Sequence, residues 1–192
     1  MKTLGITIRG TSPMLMNSNQ GVNPVHPLVV ELKKLSKLRN RTEEQEIRIL
    51  DIKWNLGLYW DQDIGVYTPA ANIEAMFRNA AKSERSGTDA LKAILIRPDF
   101  VPLIYDGPKD IESLEKDIRF RDVRAGKIKK AASVLLCRPR FNSWALKFEI
   151  DFDEKFFDED KIINLLEYGG RYVGLNDYRP RYGKFEIVEV TK

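Results

Sequence analysis

The sequence predicts an α+β protein with a ferredoxin-like (RRM-like) antiparallel sheet, helices on one face of the sheet and an inserted helical segment. Thr3–Arg9 alternates apolar and polar residues, and so does Phe185–Val190, which is typical of half-buried strands. The elements predicted between these two strands follow an order that fits a split βαβ sheet. We therefore expect one domain over residues 1–192, with the helical insertion at about residues 28–60.

The first half of the chain is predicted to contain a long loop and three helices. Thr42 and Gln45 form a capping-box pattern at the start of the second helix. Thr68 and Pro69 suggest a hydroxyl N-cap followed by proline in the first turn of the third helix. Together with apolar spacing, these signals predict a loop over Gly10–Pro27, helices over Leu28–Leu38, from Thr42 to about Leu56 and from Ala70 to Lys82, and a short strand over Ile64–Tyr67.

The second half is predicted to consist mainly of strands. Apolar runs and breaker residues predict strands over Ile94–Ile96, Phe100–Tyr105, Ala132–Leu136 and Trp144–Phe152, a helix over Asp158–Leu166, and a short acidic helix or turn over Asp110–Asp117. We expect Arg138–Ser143 to join the last two of these strands. Gly169-Gly170 should end the final helix, and the glycine-rich stretch Gly169–Leu175 is expected to form a C-cap with glycine at positive φ.

Composition excludes several classes of protein. No apolar run approaches the roughly 18 residues of a membrane-spanning helix, and the first ten residues lack the apolar core of a signal peptide, so we expect a cytoplasmic protein with no membrane partner. Cys137 and His26 are the only residues of their types, which excludes a disulfide framework and the usual zinc sites. Because no phosphate-binding glycine motif or nucleophile elbow occurs, no cofactor is expected.

The charge distribution predicts a basic face. Lysine and arginine number 32 against 28 acidic residues, which gives a net charge of +4. Nine basic residues lie between Arg119 and Lys147, where Asp122 is the only acid. Such a block is typical of a surface that attracts a polyanion.

Two segments, Arg138–Trp144 and Tyr178–Lys184, interleave arginines with aromatic rings. Arginine pairs with phosphate and exposed rings stack on bases, so these segments could line a groove for single-stranded nucleic acid. Alternatively, Phe141 and Trp144 belong to the core and the arginines are solvated, and the sequence leaves both interpretations open. On the first interpretation the groove includes Lys127, Lys129, Lys130, Arg138, Arg140 and Tyr178.

Three segments resemble, in the same order, a family of known proteins. They are the opening Ile6–Asn17, the region from Tyr67 to Lys82, and the glycine-rich ending Gly174–Phe185. They resemble the repeat-associated (RAMP) proteins, which are the ferredoxin-like proteins of CRISPR effector complexes. The greatest similarity is to the backbone subunit, and a phage-encoded relative is equally compatible.

The resemblance implies non-catalytic binding of single-stranded RNA or DNA, with RNA favoured, and oligomerisation along the strand. As partners it implies the nucleic acid, further copies of this chain and other effector-complex subunits. Family members hold the sugar-phosphate backbone with the first loop, the central helix and the glycine-rich loop. The residues at those places here are Asn17, Arg78, Lys82, Arg179 and Arg181.

An enzymatic alternative is an endoribonuclease of the same superfamily. Relatives that process guide RNA use histidine, tyrosine or lysine as acid and base, so such an activity would depend on His26. Family members that cleave target RNA use an aspartate in the first loop, and no aspartate occurs between Met1 and Leu50. This departure favours a protein that is not an enzyme.

A third possibility is a protein-interaction module of a mobile element or phage. Its docking surface would be the helical segment Leu28–Trp60, with Trp54, Tyr59 and Trp60 as anchors. Ordinary packing of the same side chains in a core is the alternative.

Overall fold

The computed structural model describes residues 1–127 and 133–192, apart from the side chains at positions 127, 133 and 134. Contacts divide the chain into two compact units. Unit 1 comprises Met1–Met14, Trp60–Gly107 and Phe141–Lys192, and unit 2 comprises Leu15–Tyr59 and Pro108–Arg140. The expectation of one domain with an insertion at about residues 28–60 stays a prediction.

Most predicted helices and strands occur within a few residues of their expected bounds. In the described part of the chain, the strands are β1 (Lys2–Gly10), β2 (Met14–Leu15), β3 (Trp60–Asp61), β4 (Gly65–Pro69), β5 (Ile94–Arg97), β6 (Phe100–Ile104), β7 (Arg121–Lys127), β8 (Ser133–Phe141), β9 (Ala145–Phe152) and β10 (Phe185–Thr191). The α-helices are α1 (Pro27–Ser36), α2 (Glu43–Gly57), α3 (Ala70–Ala81), α4 (Gly87–Ala93), α5 (Ile111–Lys116) and α6 (Glu159–Tyr168).

Unit 1 is built on an antiparallel sheet with the strand order β10–β1–β9–β6–β4–β3, in which β5 also pairs with β9. The first strand therefore lies between the last strand and β9. Along the chain, β1, α3, β5, β9, α6 and β10 follow the strand–helix–strand–strand–helix–strand order of a split βαβ sheet. The predicted α+β, ferredoxin-like class is confirmed.

The core of unit 1 follows from the two periodicities of its elements. In β1, Leu4, Ile6 and Ile8 are buried and the residues between them are more exposed; β9 alternates in the same way. Each of the two long helices adds one apolar stripe, formed by Ile73, Met76, Phe77 and Ala80 of α3 and by Ile162, Leu165 and Leu166 of α6. Full burial of one large apolar side chain stabilises the folded state by about 1.5–3 kcal/mol. The packed core therefore holds the strand ends in place, together with the loops that leave them.

In unit 2, α1 and α2 pack together through a small apolar cluster. Its buried members are Val29, Ile52 and Leu56. The predicted capping box starts α2: the hydroxyl of Thr42 accepts from the Gln45 amide at 3.3 Å, and the Gln45 side chain accepts from the Thr42 amide at 3.1 Å. The two bonds define where the helix begins.

Trp54 lies in the interior of unit 2. Its side chain is fully buried, and the indole N–H donates to the Phe120 carbonyl at 2.8 Å. Of the two interpretations of Trp54, ordinary packing in a core is confirmed and the docking anchor is wrong, because a ring without exposed surface cannot contact a partner.

The start of α3 differs from the prediction. Thr68 lies in β4 and is fully buried, and the N-cap is Pro69, whose φ of −60° and ψ of 137° are still extended. The Ala70 amide donates to the Asp99 carbonyl at 2.8 Å, so a neighbouring loop satisfies the group that a threonine cap would have bound.

The end of α6 also differs. Gly169 has a helical φ of −57°, and a π-helical turn, Gly169–Val173, follows before Gly174 adopts a φ of 77°. The positive φ expected within Gly169–Leu175 thus occurs at Gly174, and the helical turns continue past Gly169-Gly170, where the helix was expected to end. Glycine is needed there for space, since a Cβ on Gly170 would lie 2.4 Å from the Phe185 carbonyl oxygen.

The strand β7 was not predicted, because its basic residues hide the alternation of a strand. It pairs antiparallel with β8, with Arg121 opposite Pro139. Arg138 and Arg140 lie within β8, which continues to Phe141, and not in a joining segment as expected. Backbone pairing with β7 holds this region extended.

Candidate nucleic-acid interface

The glycine-rich loop, defined here as Gly174–Lys184, folds against the first loop, Thr11–Pro13, within unit 1. The Thr11 and Ser12 amides donate to the Lys184 carbonyl at 2.8 and 3.3 Å. The Gly183 amide donates to the Pro13 carbonyl at 2.8 Å, and the Lys184 amide donates to the Ser12 hydroxyl at 2.9 Å. Two segments that the resemblance singled out are thus joined into one surface.

Asn176 ties the glycine-rich loop to β4 and to the start of α3. Its amide nitrogen donates to the Thr68 hydroxyl at 3.1 Å and to the Met14 sulfur at 2.9 Å. Its amide oxygen accepts from the Asn72 side chain at 2.8 Å. Neither asparagine was predicted as a site residue, since the only signal in the sequence was their position inside the family-like segments.

The solvent side of the glycine-rich loop presents cations and a flat ring. Arg179 and Arg181 are exposed, and Tyr178 is 48% exposed. Tyr178 packs edge-to-face on Tyr182, with ring centroids 5.9 Å apart. The loop therefore exposes two guanidinium groups and an aromatic ring. Hydrogen bonds to the first loop, to β4 and to α3 hold the rest of the loop in place.

Arg78 and Lys82 lie toward the other end of α3. Arg78 lies six positions after Asn72 in the helix, which corresponds to about 9 Å along the helix axis. Arg78 and Lys82 line a pocket of about 230 Å³. Arg85 lines the same pocket and was not predicted as a site residue.

Asn17 and Arg138 meet in unit 2. Both line a pocket of about 230 Å³ whose wall also includes Lys53, Leu56 and Cys137. Burial lowers the pKa of Lys53, and the Lys53 ammonium donates to the Leu135 carbonyl. Lys53 was missed because it occupies an ordinary polar position of a predicted helix.

Acidic residues of unit 2, including Asp122 within the block itself, pair with four arginines of the predicted basic block. Arg119 pairs with Asp117 at 2.6 Å and Arg121 pairs with Asp51. The buried carboxylate of Asp122 contacts Arg124, and Arg140 lies 3.8 Å from it. Lys129 and Lys130 lie outside the described residues, as does the side chain of Lys127.

The other candidate residues have structural contacts. His26 is the N-cap of α1, where its Nδ1 accepts from the Leu28 amide at 3.2 Å. Cys137 is buried as predicted, and burial raises the pKa of its thiol to about 11. Phe141 and Trp144 are buried, so they belong to the core and offer no ring face to a base.

Within residues 1–127 and 133–192, no group of three or more His, Cys, Asp or Glu side chains is arranged to hold a metal ion. No helix in the same ranges is long and apolar enough to cross a membrane.

Comparison with known proteins gives a structural match. No protein-family model matches the chain, and no curated protein matches its sequence. A chain of the cryo-EM structure of the Type III-B Cmr-beta bound to cognate target RNA is similar in structure, with a TM-score of 0.54 and 12% sequence identity. The match covers 98% of this chain and 59% of that one, so this chain spans well under two thirds of its neighbour. At this identity the likeness shows a shared fold.

Proposed function

We propose that this chain binds single-stranded RNA as a subunit of a CRISPR-type effector complex, and that the glycine-rich loop is its main contact. The observation that supports this most is the exposed group of Tyr178, Arg179 and Arg181 on a loop anchored by the first loop. The structural neighbour belongs to an assembly bound to target RNA, which favours RNA over DNA as the strand.

The proposed mechanism is recognition of the sugar-phosphate backbone. Each guanidinium group of Arg179 and Arg181 can pair with two phosphate oxygens, and the bond is strengthened by charge. Stacking of a base on the Tyr178 ring would add about 1–3 kcal/mol. Because hydrogen bonds already fix the base of the loop, binding orders few further groups.

The wider assembly is part of the same proposal. A backbone subunit would associate with further copies of itself and with other subunits along the guide strand. A phage-encoded relative that works alone would bind RNA through the same loop without forming such a row. Light scattering with and without a long RNA would distinguish the two, since only the first forms a complex whose mass grows with strand length.

The decisive experiment replaces both exposed arginines. We expect Arg179→Ala with Arg181→Ala to weaken binding of a labelled single-stranded RNA at least about tenfold, because two charge-assisted contacts are lost. Fluorescence anisotropy gives the affinity, and thermal unfolding checks that the variant is folded.

A charge-matched control is Lys92→Ala with Lys155→Ala, which removes two exposed cations from the same unit. It should bind RNA almost as the wild type does. Equal affinities for wild type, control and the arginine variant would reject the loop assignment. RNA recovered shortened, with the cleavage lost in His26→Ala, would favour the endoribonuclease.

A further inference from the structure

Three cationic side chains line one pocket at the end of α3. Arg78 belongs to the last turn of α3, Lys82 opens the 3-10 turn that follows, and Arg85 comes directly after that turn. The lining is completed by Gly87, Thr88 and Leu91, and the pocket has a volume of about 230 Å³. No acidic side chain is among these described lining residues.

The backbone around this pocket has a specific conformation. Arg85 is in the left-handed region, with φ 61° and ψ 15°. A Cβ on Gly87 would lie 3.0 Å from the Arg78 carbonyl oxygen and 3.1 Å from the Lys82 side chain. The absence of a side chain at Gly87 thus lets α4 approach the end of α3 closely and form one wall of the pocket.

The cations are not needed to complete the end of the helix. Lysine and arginine near a helix C-terminus often compensate its free carbonyl groups. Here the Ser83 hydroxyl donates to the Ala80 carbonyl at 2.8 Å, and the Ser86 amide donates to the Ala81 carbonyl at 3.0 Å. Neutral donors already satisfy these groups.

The positive charge of the pocket is not compensated by the protein. In the described part of the chain, none of the three cations is in an ion pair, and the enclosed Nε of Arg78 has no hydrogen-bond partner. The acid closest in sequence, Glu84, pairs with Lys161 instead. Like charges gathered in one pocket repel each other, so an anion with several acceptor oxygens would relieve that repulsion.

We propose that this pocket binds a terminal phosphate monoester, either at the end of a nucleic-acid strand or on a free nucleotide. A monoester has a charge of about −1.5 to −2 at neutral pH and three strong acceptor oxygens, which suits three cations better than the single charge of a backbone diester. A pocket of about 230 Å³ has room for one such group. The inference rests on the proposed function only where the phosphate comes from a bound strand.

The test has one arm for each source of phosphate. Anisotropy compares short single-stranded RNAs that differ only in a terminal phosphate or hydroxyl, and we expect the phosphorylated strand to bind about tenfold more tightly. In the second arm, AMP and adenosine are titrated into the labelled protein, and AMP alone should shift the NMR amide signals of residues 82–91. Either response supports phosphate binding in the pocket. A response with RNA indicates that the phosphate belongs to a strand end, and a response to AMP indicates a free nucleotide.

The variants are chosen to preserve folding. Arg85→Asn with Lys82→Gln removes two charges and keeps a residue that tolerates the left-handed conformation, so the preference for phosphate should disappear. Leu91→Glu places a carboxylate beside the pocket at a position that is 61% exposed, and should have the same effect. Lys92→Gln with Lys155→Gln is the control that should retain the preference.

The outcome separates this proposal from the first one. If the wild type shows neither a preference for the phosphorylated end nor an AMP-dependent shift, the pocket is not a phosphate site. If the protein binds no RNA at all, the AMP titration still decides the question, because it needs no contact with the glycine-rich loop.

Discussion

Asn176 is the residue on which the geometry of the glycine-rich loop depends. Its φ of 58° lies in the left-handed region, which asparagine tolerates better than most residues. In that conformation one amide group reaches the buried hydroxyl of Thr68 and the side chain of Asn72. A single polar side chain therefore connects a loop, a strand and a helix, and orients the exposed arginines.

At the residue scale, Gly183→Ala should disrupt this loop. Gly183 has a φ of 73°, and a Cβ there would lie 2.0 Å from the Leu175 carbonyl oxygen, so the backbone must move. We expect a loss of about 2 kcal/mol or more in the free energy of unfolding, together with weaker RNA binding. Urea unfolding and anisotropy measure the two effects.

Gly21→Ala is the matched control, since a Cβ at Gly21 meets nothing within 4 Å. Its stability and affinity should stay close to those of the wild type. A Gly183→Ala protein as stable as this control would show that the loop adopts another conformation.

At the scale of elements, Asp151 joins three strands of the sheet in unit 1. It lies in β9, accepts from the Thr3 hydroxyl of β1 at 2.6 Å, and accepts from the Arg97 guanidinium of β5 at 2.9 Å. The bond from Arg97 first, and then that from Thr3, lowers the pKa of Asp151. Because the ionised form is favoured in the folded state, this contribution to stability exists above the unfolded pKa, near 4, and is lost as the pH falls through the lowered value.

Asp151→Asn should therefore reduce stability in a pH-dependent way. At pH 7 we expect a loss of about 1 kcal/mol, which is the size of a surface ion pair with an added hydrogen bond. Near pH 3 the difference between variant and wild type should shrink, because the wild-type carboxylate is then being protonated. Urea unfolding at both pH values measures the difference in stability. Asp63→Asn, at an exposed turn, is the control. A loss of stability that is the same at both pH values would contradict the prediction.

At the scale of the whole molecule, the distribution of paired charge matters more than the net charge of +4. Asp51, Asp117 and Asp122 engage four arginines of the basic block in unit 2. Arg179 and Arg181, in contrast, are exposed on the glycine-rich loop. The cations available to a polyanion are thus fewer than the sequence suggests.

The salt dependence of RNA binding tests this distribution. For a single strand, the logarithm of affinity falls with the logarithm of salt concentration by about 0.7 per phosphate contact. If Arg179 and Arg181 make the contacts, the slope should be about −1.4, whereas the full block of nine basic residues would give about −6. Anisotropy over a range of salt concentrations measures the slope, and the steeper value would show that the basic block takes part.

The sequence by itself determined the class of fold and much of the local structure. Period-two alternation in Thr3–Arg9 and the capping box at Thr42 are local patterns, and local patterns are fixed by steric and hydrogen-bonding rules that act within a few residues. The apolar run Val134–Cys137 likewise predicted that Cys137 is buried, as it is.

Only the tertiary structure decided which polar residues meet. Asn72 and Asn176 are 104 positions apart in the sequence. Arg121 pairs with the carboxylate of Asp51, which is 70 positions away. Thr68 is a loop anchor and not a helix cap because β4 buries it beside Asn176. Such pairings depend on how strands and helices pack, which no local pattern encodes, so the fold could be predicted from the sequence while the geometry of the candidate site could not.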